Sequence, residues 1–388
     1  MKELPSWPVF TDEDIDAVTR VLRSGKVNYW TGTEGRKFEQ EYSASLGSDY
    51  GIAVANGSVA LELALKAIRI ERDDEVIVTP RSFIASASCV SVCGARPIFA
   101  DVDKNSGNIT AETIEAVVTD RTKAIIPVHL GGWPCEMDEI KELARSRGLA
   151  VLEDCAQAHG ATYKDQHVGT LGDIGAFSFC QDKIITTGGE GGLVVTSDNE
   201  LWNAMWSYKD HGKSFDTVFR RDHPPGFRWL HENVGTNWRM TEMQAAIGRI
   251  WLSRLGELVE RRRRNARILT EALCGYKGLR IPEVPSYSAH SYYRFYAYIS
   301  PEGLRSGWNR DRVMTEISAQ GVPCFSGTCS EIYREKTFDS HNSRPVELPV
   351  TRELGETSLM FPVYPTMSED DMGLIARAAV TTLEMASK

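Results

Sequence analysis

The stretch AFSFCQDKIITTGGEGGLVV, residues 176–195, sets a single lysine, Lys183, between an apolar run and four glycines: Gly188, Gly189, Gly191 and Gly192. A lysine among apolar neighbours loses hydration, which disfavours its charged form and frees its amine. A free amine can bond to an aldehyde as a Schiff base. The glycines would let backbone come close to a flat ligand. The plain alternative is a lysine paired with Asp182 or Glu190. Ser178, five residues upstream, closes the apolar run.

Two further stretches carry groups that suit such a lysine. In AVANGSVALELALKAI a strand-like piece ends at Asn56-Gly57, and a helix is expected to start at Ser58 or Val59. Ser58 reads as its N-cap, and the free N–H groups of a first helical turn form an anion seat. That is either a phosphate cradle or a simple cap. In LAVLEDCAQAHGA an apolar strand runs into Glu153-Asp154. A carboxylate at a strand end can face a protonated ring nitrogen, or it can cap the next helix. No second set of Asp, Glu or His at ligand spacing supports a metal, and none is expected. A phosphate seat, a carboxylate for a pyridinium and a desolvated lysine are together what pyridoxal phosphate needs.

These residues must be positioned by the elements around them. Apolar runs rich in β-branched residues appear at 75–80, 96–102, 124–130, 150–155, 175–179 and 192–197, with helical patterns between several of them. Continuous apolar strands alternating with helices predict an α/β fold around a mostly parallel sheet, with ligands at the carboxyl ends of its strands. After residue 240 the texture changes. MTEMQAAIGRIWLSRLGELVERRRRNARILTEALCG reads as one long helix or two in tandem. Strand-like pieces follow at 292–300 and 321–325, with helices at 311–320 and at the end of the sequence. The expected division is a large domain over 1–250 and a smaller α+β domain over 251–388. The arginines at 261–264 read as a solvated helix face, given Glu257 and Glu260 within a turn.

The 388 residues carry a net charge of −9, which argues against a dedicated nucleic-acid binder. No stretch is apolar enough to span a bilayer, and MKELPSWPVFTDEDID lacks a signal-peptide core, so a cytoplasmic protein is expected. Eight cysteines without C-x-x-C spacing read as reduced core residues.

The motifs ANGSVALELAL, SFIASA, EDCAQAHGA, GDIGAFSFCQDKIITTGGEGG and GTNWRMTEMQAAIG resemble, in order, those of the DegT/DnrJ/EryC1/StrS family of sugar aminotransferases. The resemblance implies a type I aminotransferase fold with a seven-stranded sheet, and a homodimer with both sites at its interface. It implies that Lys183 binds pyridoxal 5'-phosphate and that Asp154 lies under the ring nitrogen. Gln157 would lie near the ring hydroxyl and Phe83 would stack on the opposite ring face. Gly57, Ser58 and Ser178 would cradle the phosphate, with Asn237 reaching it from the other subunit. It implies transfer of an amino group from L-glutamate to a nucleotide-linked keto-sugar, taken as a 4-keto sugar, for a surface polysaccharide such as O-antigen. The alternatives are a 3-keto sugar or a lyase using the same cofactor. Relatives that dehydrate the sugar carry histidine where this chain has Lys183.

The sequence also departs from its relatives. Many carry a His-Tyr pair where this chain reads PCFSGTCSEIY. Arg81 is a candidate for the substrate, and so is Tyr293 with the SYYR run at 291–294, which reads equally as a buried strand. His211, Arg228, Lys209 and Lys213 are candidates for a nucleotide diphosphate or are surface charges. Arg239 reads as a structural ion pair more than as a ligand for the donor carboxylate. No basic helix-turn-helix supports a DNA-binding sensor, and no G-x-G-x-x-G opens a helix after a first strand, as a nicotinamide enzyme would require.

Overall fold

A computed structural model describes residues 4–341 and 347–388. Seven strands form the main sheet: β1 (Tyr50–Val54), β2 (Glu75–Val78), β3 (Arg96–Phe99), β4 (Thr122–Ile126), β5 (Ala150–Asp154), β6 (Ile174–Ser178) and β7 (Gly192–Thr196). They stand in the order β1-β7-β6-β5-β4-β2-β3. Pairing from β6 to β3 is parallel throughout, and β7 alone runs antiparallel to both its neighbours.

Side chains leave the sheet alternately on its two faces, so each strand feeds two cores. Ile52, Val54, Val76 and Val78 enter one core, and Ala53 and Ile77 the other. The first core is covered by α3 (Gly57–Ala67) and α4 (Ala85–Val92), joined by Met205 and Trp206 of α6 (Asn199–Lys209). The second is covered by α2 (Glu34–Leu46), which follows α1 (Asp12–Ser24), together with α5 (Met137–Arg147). Coverage on both faces explains why the strands read as unbroken apolar runs.

The long pattern after residue 240 is a single 32-residue helix, α7 (Glu242–Leu273). Thr241 caps it by accepting from the Gln244 N–H. The helix crosses residue 250 and serves two cores. Ala245, Ile247 and Trp251 pack under the main sheet, while Ala266, Leu269 and Leu273 pack in the C-terminal unit. That unit has an antiparallel sheet of β8 (Leu279–Arg280), β9 (Phe295–Ile299) and β10 (Ser358–Phe361), with α8 (Arg310–Ala319) and α9 (Glu369–Ala386). Residues 321–325 do not form a strand; only Phe325 bridges to Met360.

Some polar readings are corrected by burial. Arg262 does not join a solvated face: it is fully buried, stacked 5.0 Å from the Trp7 ring, and donates to the Tyr293 carbonyl at 3.2 Å. Arg261 and Arg263 do pair with Glu257 and Glu260. Cys274 and Cys329 are exposed rather than core residues, and all eight cysteines are free. No helix among the described residues is long and apolar enough to cross a membrane.

Lys209 is fully buried and so unavailable to a diphosphate. Its Nζ lies 3.6 Å from Glu39 Oε1 and 3.6 Å from the centre of the Tyr29 ring. Glu39 also accepts from the Ala53 N–H at 2.9 Å and the Tyr29 hydroxyl at 3.0 Å. Burial pushes the Glu39 carboxyl up and the Lys209 amine down, and their mutual attraction opposes both shifts. The pair ties α2 to β1 and to the end of α6. Glu39→Ala strands a buried cation and is expected to destabilise the fold by about 3–5 kcal/mol in a urea titration. A loss below about 1 kcal/mol would show that the pair carries no such strain.

Candidate active site

A cavity of about 770 Å³ opens at the carboxyl ends of β1, β5 and β6, where open α/β sheets place ligands. Its lining includes Gly57, Ser58, Phe83, Asp154, Gln157, Ser178, Lys183 and Tyr293. A hollow of similar size between α1, α2 and the start of α7 lies apart from these strand ends.

At the end of β1 the helix begins at Gly57, ahead of the expected start at Ser58 or Val59. Asn56, not Ser58, is the N-cap; its side chain accepts from the Val59 N–H at 3.0 Å. Asn56 has the extended backbone a cap requires, and its amide oxygen reaches the third helical N–H. Gly57 and Ser58 thereby fall in the first turn, where their N–H groups have no acceptor inside the helix. The Ser58 side chain is exposed. Gly57 packs so tightly on the end of β6 that a Cβ would lie 2.6 Å from the Ser178 Cβ. The Ser178 carbonyl is held by His159 Nε2 at 2.8 Å, and His159 Nδ1 by the Tyr42 hydroxyl at 2.7 Å.

Asp154 ends β5 and is only 4% exposed. No helix follows it, so it caps none. Its Oδ2 accepts from Ser86 at 2.7 Å and its Oδ1 from the Ala156 N–H at 3.1 Å. Burial raises its carboxyl above the ordinary carboxylate value, against these hydrogen bonds and the charge of Lys183. An acid in that state lacks a close cation, which a pyridinium would supply. Gln157 is oriented by its Oε1, which accepts from the Gly131 N–H at 2.8 Å. Phe83 is 65% exposed, a large apolar ring left open at the cavity.

Lys183 lies in a loop after β6, its side chain 14% exposed. Its surroundings are less apolar than the sequence suggests. Its Nζ is 3.4 Å from the Tyr293 hydroxyl and 3.7 Å from Asp182 Oδ1, and its carbonyl accepts from the Trp7 indole at 2.9 Å. The glycines that follow do not line the cavity. Gly189 adopts φ +127°, and a Cβ on Gly192 would strike the Asn56 carbonyl at 2.2 Å. Their role is to turn the loop and let β7 pack on the anion seat.

Other candidates stand elsewhere. Arg81 is fully buried behind the lining, its guanidinium near the Tyr296 and Tyr298 rings and bonded to Ser330 at 3.1 Å, so it is no substrate contact in this arrangement. His211 and Arg228 are exposed and lie outside this cavity. Asn237 also lies outside the cavity of its own chain, in a bridge with Asp210. Arg239 pairs with Asp210 at 2.7 Å, and Lys213 pairs with it at 3.2 Å. Ser86 belongs to the site without having been singled out for it; Asp182 was expected only as a plain partner of Lys183, and Arg294 only within the 291–294 run. Ser86 had one weak signal, a hydroxyl one helical turn after Ser82.

His129, Glu153 and Cys155 cluster behind the site with donor atoms close together. Glu153 accepts from the Gly169, Leu171 and Gly172 N–H groups and pairs with His129, whose Nδ1 accepts from the Cys135 N–H. That network engages the His129 and Glu153 atoms an ion would need.

An amine, a buried acid and a free helix start around one cavity define an α/β enzyme of the type I aminotransferase fold. The family model for the DegT/DnrJ/EryC1/StrS aminotransferase family matches residues 8–379, and the chain belongs to that family. The chain is 37% identical to a UDP-N-acetyl-3-dehydro-alpha-D-glucosamine 3-aminotransferase of Acidithiobacillus ferrooxidans, over 96% of this chain and 94% of that protein. It is 34% identical to a GDP-perosamine synthase of Escherichia coli O157:H7, over 96% of each chain. Among solved structures, an aminotransferase from Psychrobacter cryohalolentis superposes with a TM-score of 0.96 at 54% identity, covering 97% of this chain and 98% of that one.

Burial lowers His159 from its ordinary value to about 4 and His290 to about 3. The unfolded chain therefore takes up these protons first. The stability these two neutral imidazoles contribute is full above about pH 6.5 and falls as pH drops from there toward 4. His159→Gln is expected to remove roughly one proton from that slope in urea titrations between pH 7.5 and 4.5. An unchanged slope would contradict the buried neutral imidazole.

Proposed function

We propose that this enzyme moves an amino group from L-glutamate to a nucleotide-linked keto-sugar, using pyridoxal phosphate. The observation that carries the reading is that Lys183, Asp154 and the open start of α3 line one cavity. The donor set suits the cofactor: free N–H groups at Gly57 and Ser58 for a phosphate, a buried acid short of a cation at Asp154, and an uncovered ring at Phe83. When bound, the cofactor supplies an aldehyde and an electron-withdrawing ring.

The protein's own groups then have distinct tasks. Asp154 holds negative charge where the ring nitrogen would lie and keeps that nitrogen protonated. Phe83 and Gln157 set the ring plane. With the cofactor bound, Lys183 would hold it through its side-chain nitrogen, and when free that amine would take a proton from the donor's α-carbon and return one as general base and acid. The partner subunit's Asn237 completes the phosphate seat in a homodimer. Four acids line the cavity, Glu62, Asp154, Asp182 and Glu190, against two cations, Lys183 and Arg294. A dianionic phosphate therefore gains from donors brought by a second copy.

Relatives named for GDP-perosamine synthesis, and a Bacillus subtilis relative named for spore coat polysaccharide biosynthesis, support a nucleotide-sugar substrate in a polysaccharide pathway. We take the sugar as a 4-keto sugar and the enzyme as cytoplasmic. The second reading is a 3-keto sugar, favoured by the name of the Acidithiobacillus relative.

Lys183→Ala is expected to retain the fold and lose transamination by about 10²–10⁴-fold or more. The check is product mass after incubation with L-glutamate and UDP-, GDP- and dTDP-linked 3-keto and 4-keto sugars. Full turnover by Lys183→Ala would refute the role. Phe83→Ala is expected to raise the dissociation constant for pyridoxal phosphate about fivefold or more, read by absorbance titration; unchanged affinity would remove the stacking role.

A further inference from the structure

The reading above leaves unused a cluster on the other side of the lysine amine. Asp182 precedes Lys183 in the loop after β6, while Tyr293 and Arg294 stand just before β9 in the C-terminal unit. The Tyr293 hydroxyl donates to Asp182 Oδ2, and Arg294 Nη2 donates to the same oxygen at 3.1 Å. Lys183 Nζ lies 3.7 Å from the other Asp182 oxygen, 3.4 Å from the Tyr293 hydroxyl and 4.8 Å from the centre of its ring.

Burial alone would raise the Asp182 carboxyl; Lys183, the Tyr293 hydroxyl and Arg294 outweigh it, so Asp182 stays charged. Burial also pushes the Tyr293 phenol up, against Arg294, so it keeps its proton. The Tyr293 O–H donates to Asp182, which leaves the phenol oxygen as an acceptor for the lysine. A hydrogen-bonded chain results, from the Lys183 N–H through Tyr293 to Asp182.

We propose that Asp182 and Tyr293 form a cradle that holds the Lys183 ammonium before its nitrogen bonds a ligand and again once the released amine has taken up a proton, with Arg294 anchoring the cradle to the C-terminal unit. Asp182 is a positioning residue; Tyr293 touches the reacting nitrogen. The inference rests on the reading of Lys183 as the nitrogen that bonds pyridoxal phosphate. A lysine released and taken back in each cycle needs a defined resting place within reach, and an ionised partner supplies one. Leaving the cradle for an aldehyde carbon gives up a proton to solvent and releases the aldehyde oxygen as water.

The test uses the full-length protein stripped of cofactor. Free pyridoxal phosphate is added at neutral pH, aliquots are quenched with borohydride, and Lys183 labelling is followed by peptide mass. Asp182→Asn is expected to capture pyridoxal phosphate about two- to fivefold faster than wild type, because no ion pair has to break. In the loaded protein the same variant is expected to release its lysine to L-glutamate slower by a similar factor, read as single-turnover loss of the visible band. Tyr293→Phe should shift both rates in the same directions, and Asp182→Glu should restore both toward wild type. Opposite signs are the signature, since a merely structural pair would slow both steps. Slowing of both, or no change in either, overturns the cradle. Absence of wild-type capture at Lys183 overturns instead the cofactor reading beneath it.

Discussion

A carboxylate held almost wholly out of water, with two hydrogen-bond donors among the described residues, is the constraint on which this site depends. Asp154 accepts from Ser86 and from the Ala156 backbone, and burial still drives its carboxyl up. Such a group is stable as a charge only when a cation comes to it. The sheet explains its position. β5 lies mid-sheet between β4 and β6, so its end is shielded on both sides while its last residue faces the cavity. The Ser86 hydroxyl comes from α4 across the same opening. The acid, the hydroxyl and the lysine thus come from three separate segments that meet only because parallel strands end on one edge.

The lysine is held from both ends. Its carbonyl accepts from Trp7 of the N-terminal segment, and its amine faces Tyr293 and Asp182. Arg262, buried on α7, stacks on Trp7 and bonds the Tyr293 backbone, so one helix links the two contacts. α7 also packs in both hydrophobic cores. A relative movement of those cores would be felt at the amine nitrogen directly.

Much of this was legible along the chain. The strand runs, the helices that cover them and the end of β5 at Asp154 followed from periodicity alone, because a doubly covered parallel strand has to be apolar on both faces. Lys183 was conspicuous by contrast with its neighbours. Other readings erred for identifiable reasons. Ser58 looked like a cap because it is a good capping residue, yet Asn56 is one too and has the extended backbone that the role requires. The glycines after Lys183 suggested room for a ligand, but they serve a turn and the packing of β7 on the anion seat. Lys209 and Arg81 are charged and appear exposed on paper. Glu39 and the tyrosine rings let them be buried, and those partners lie far away in sequence.

Sequence by itself determined the class of fold, and it singled out an amine, an acid and a helix start in order along the chain, since these depend on local pattern and residue chemistry. Tertiary structure decided which charges face the cavity and which are spent on packing. It also set Asp182 and Tyr293 around one nitrogen, with Arg294 holding Asp182. That choice depends on contacts across more than a hundred residues of chain, which no local pattern encodes: burial and charge pairing are properties of the folded surface, and they exist only once distant segments have met.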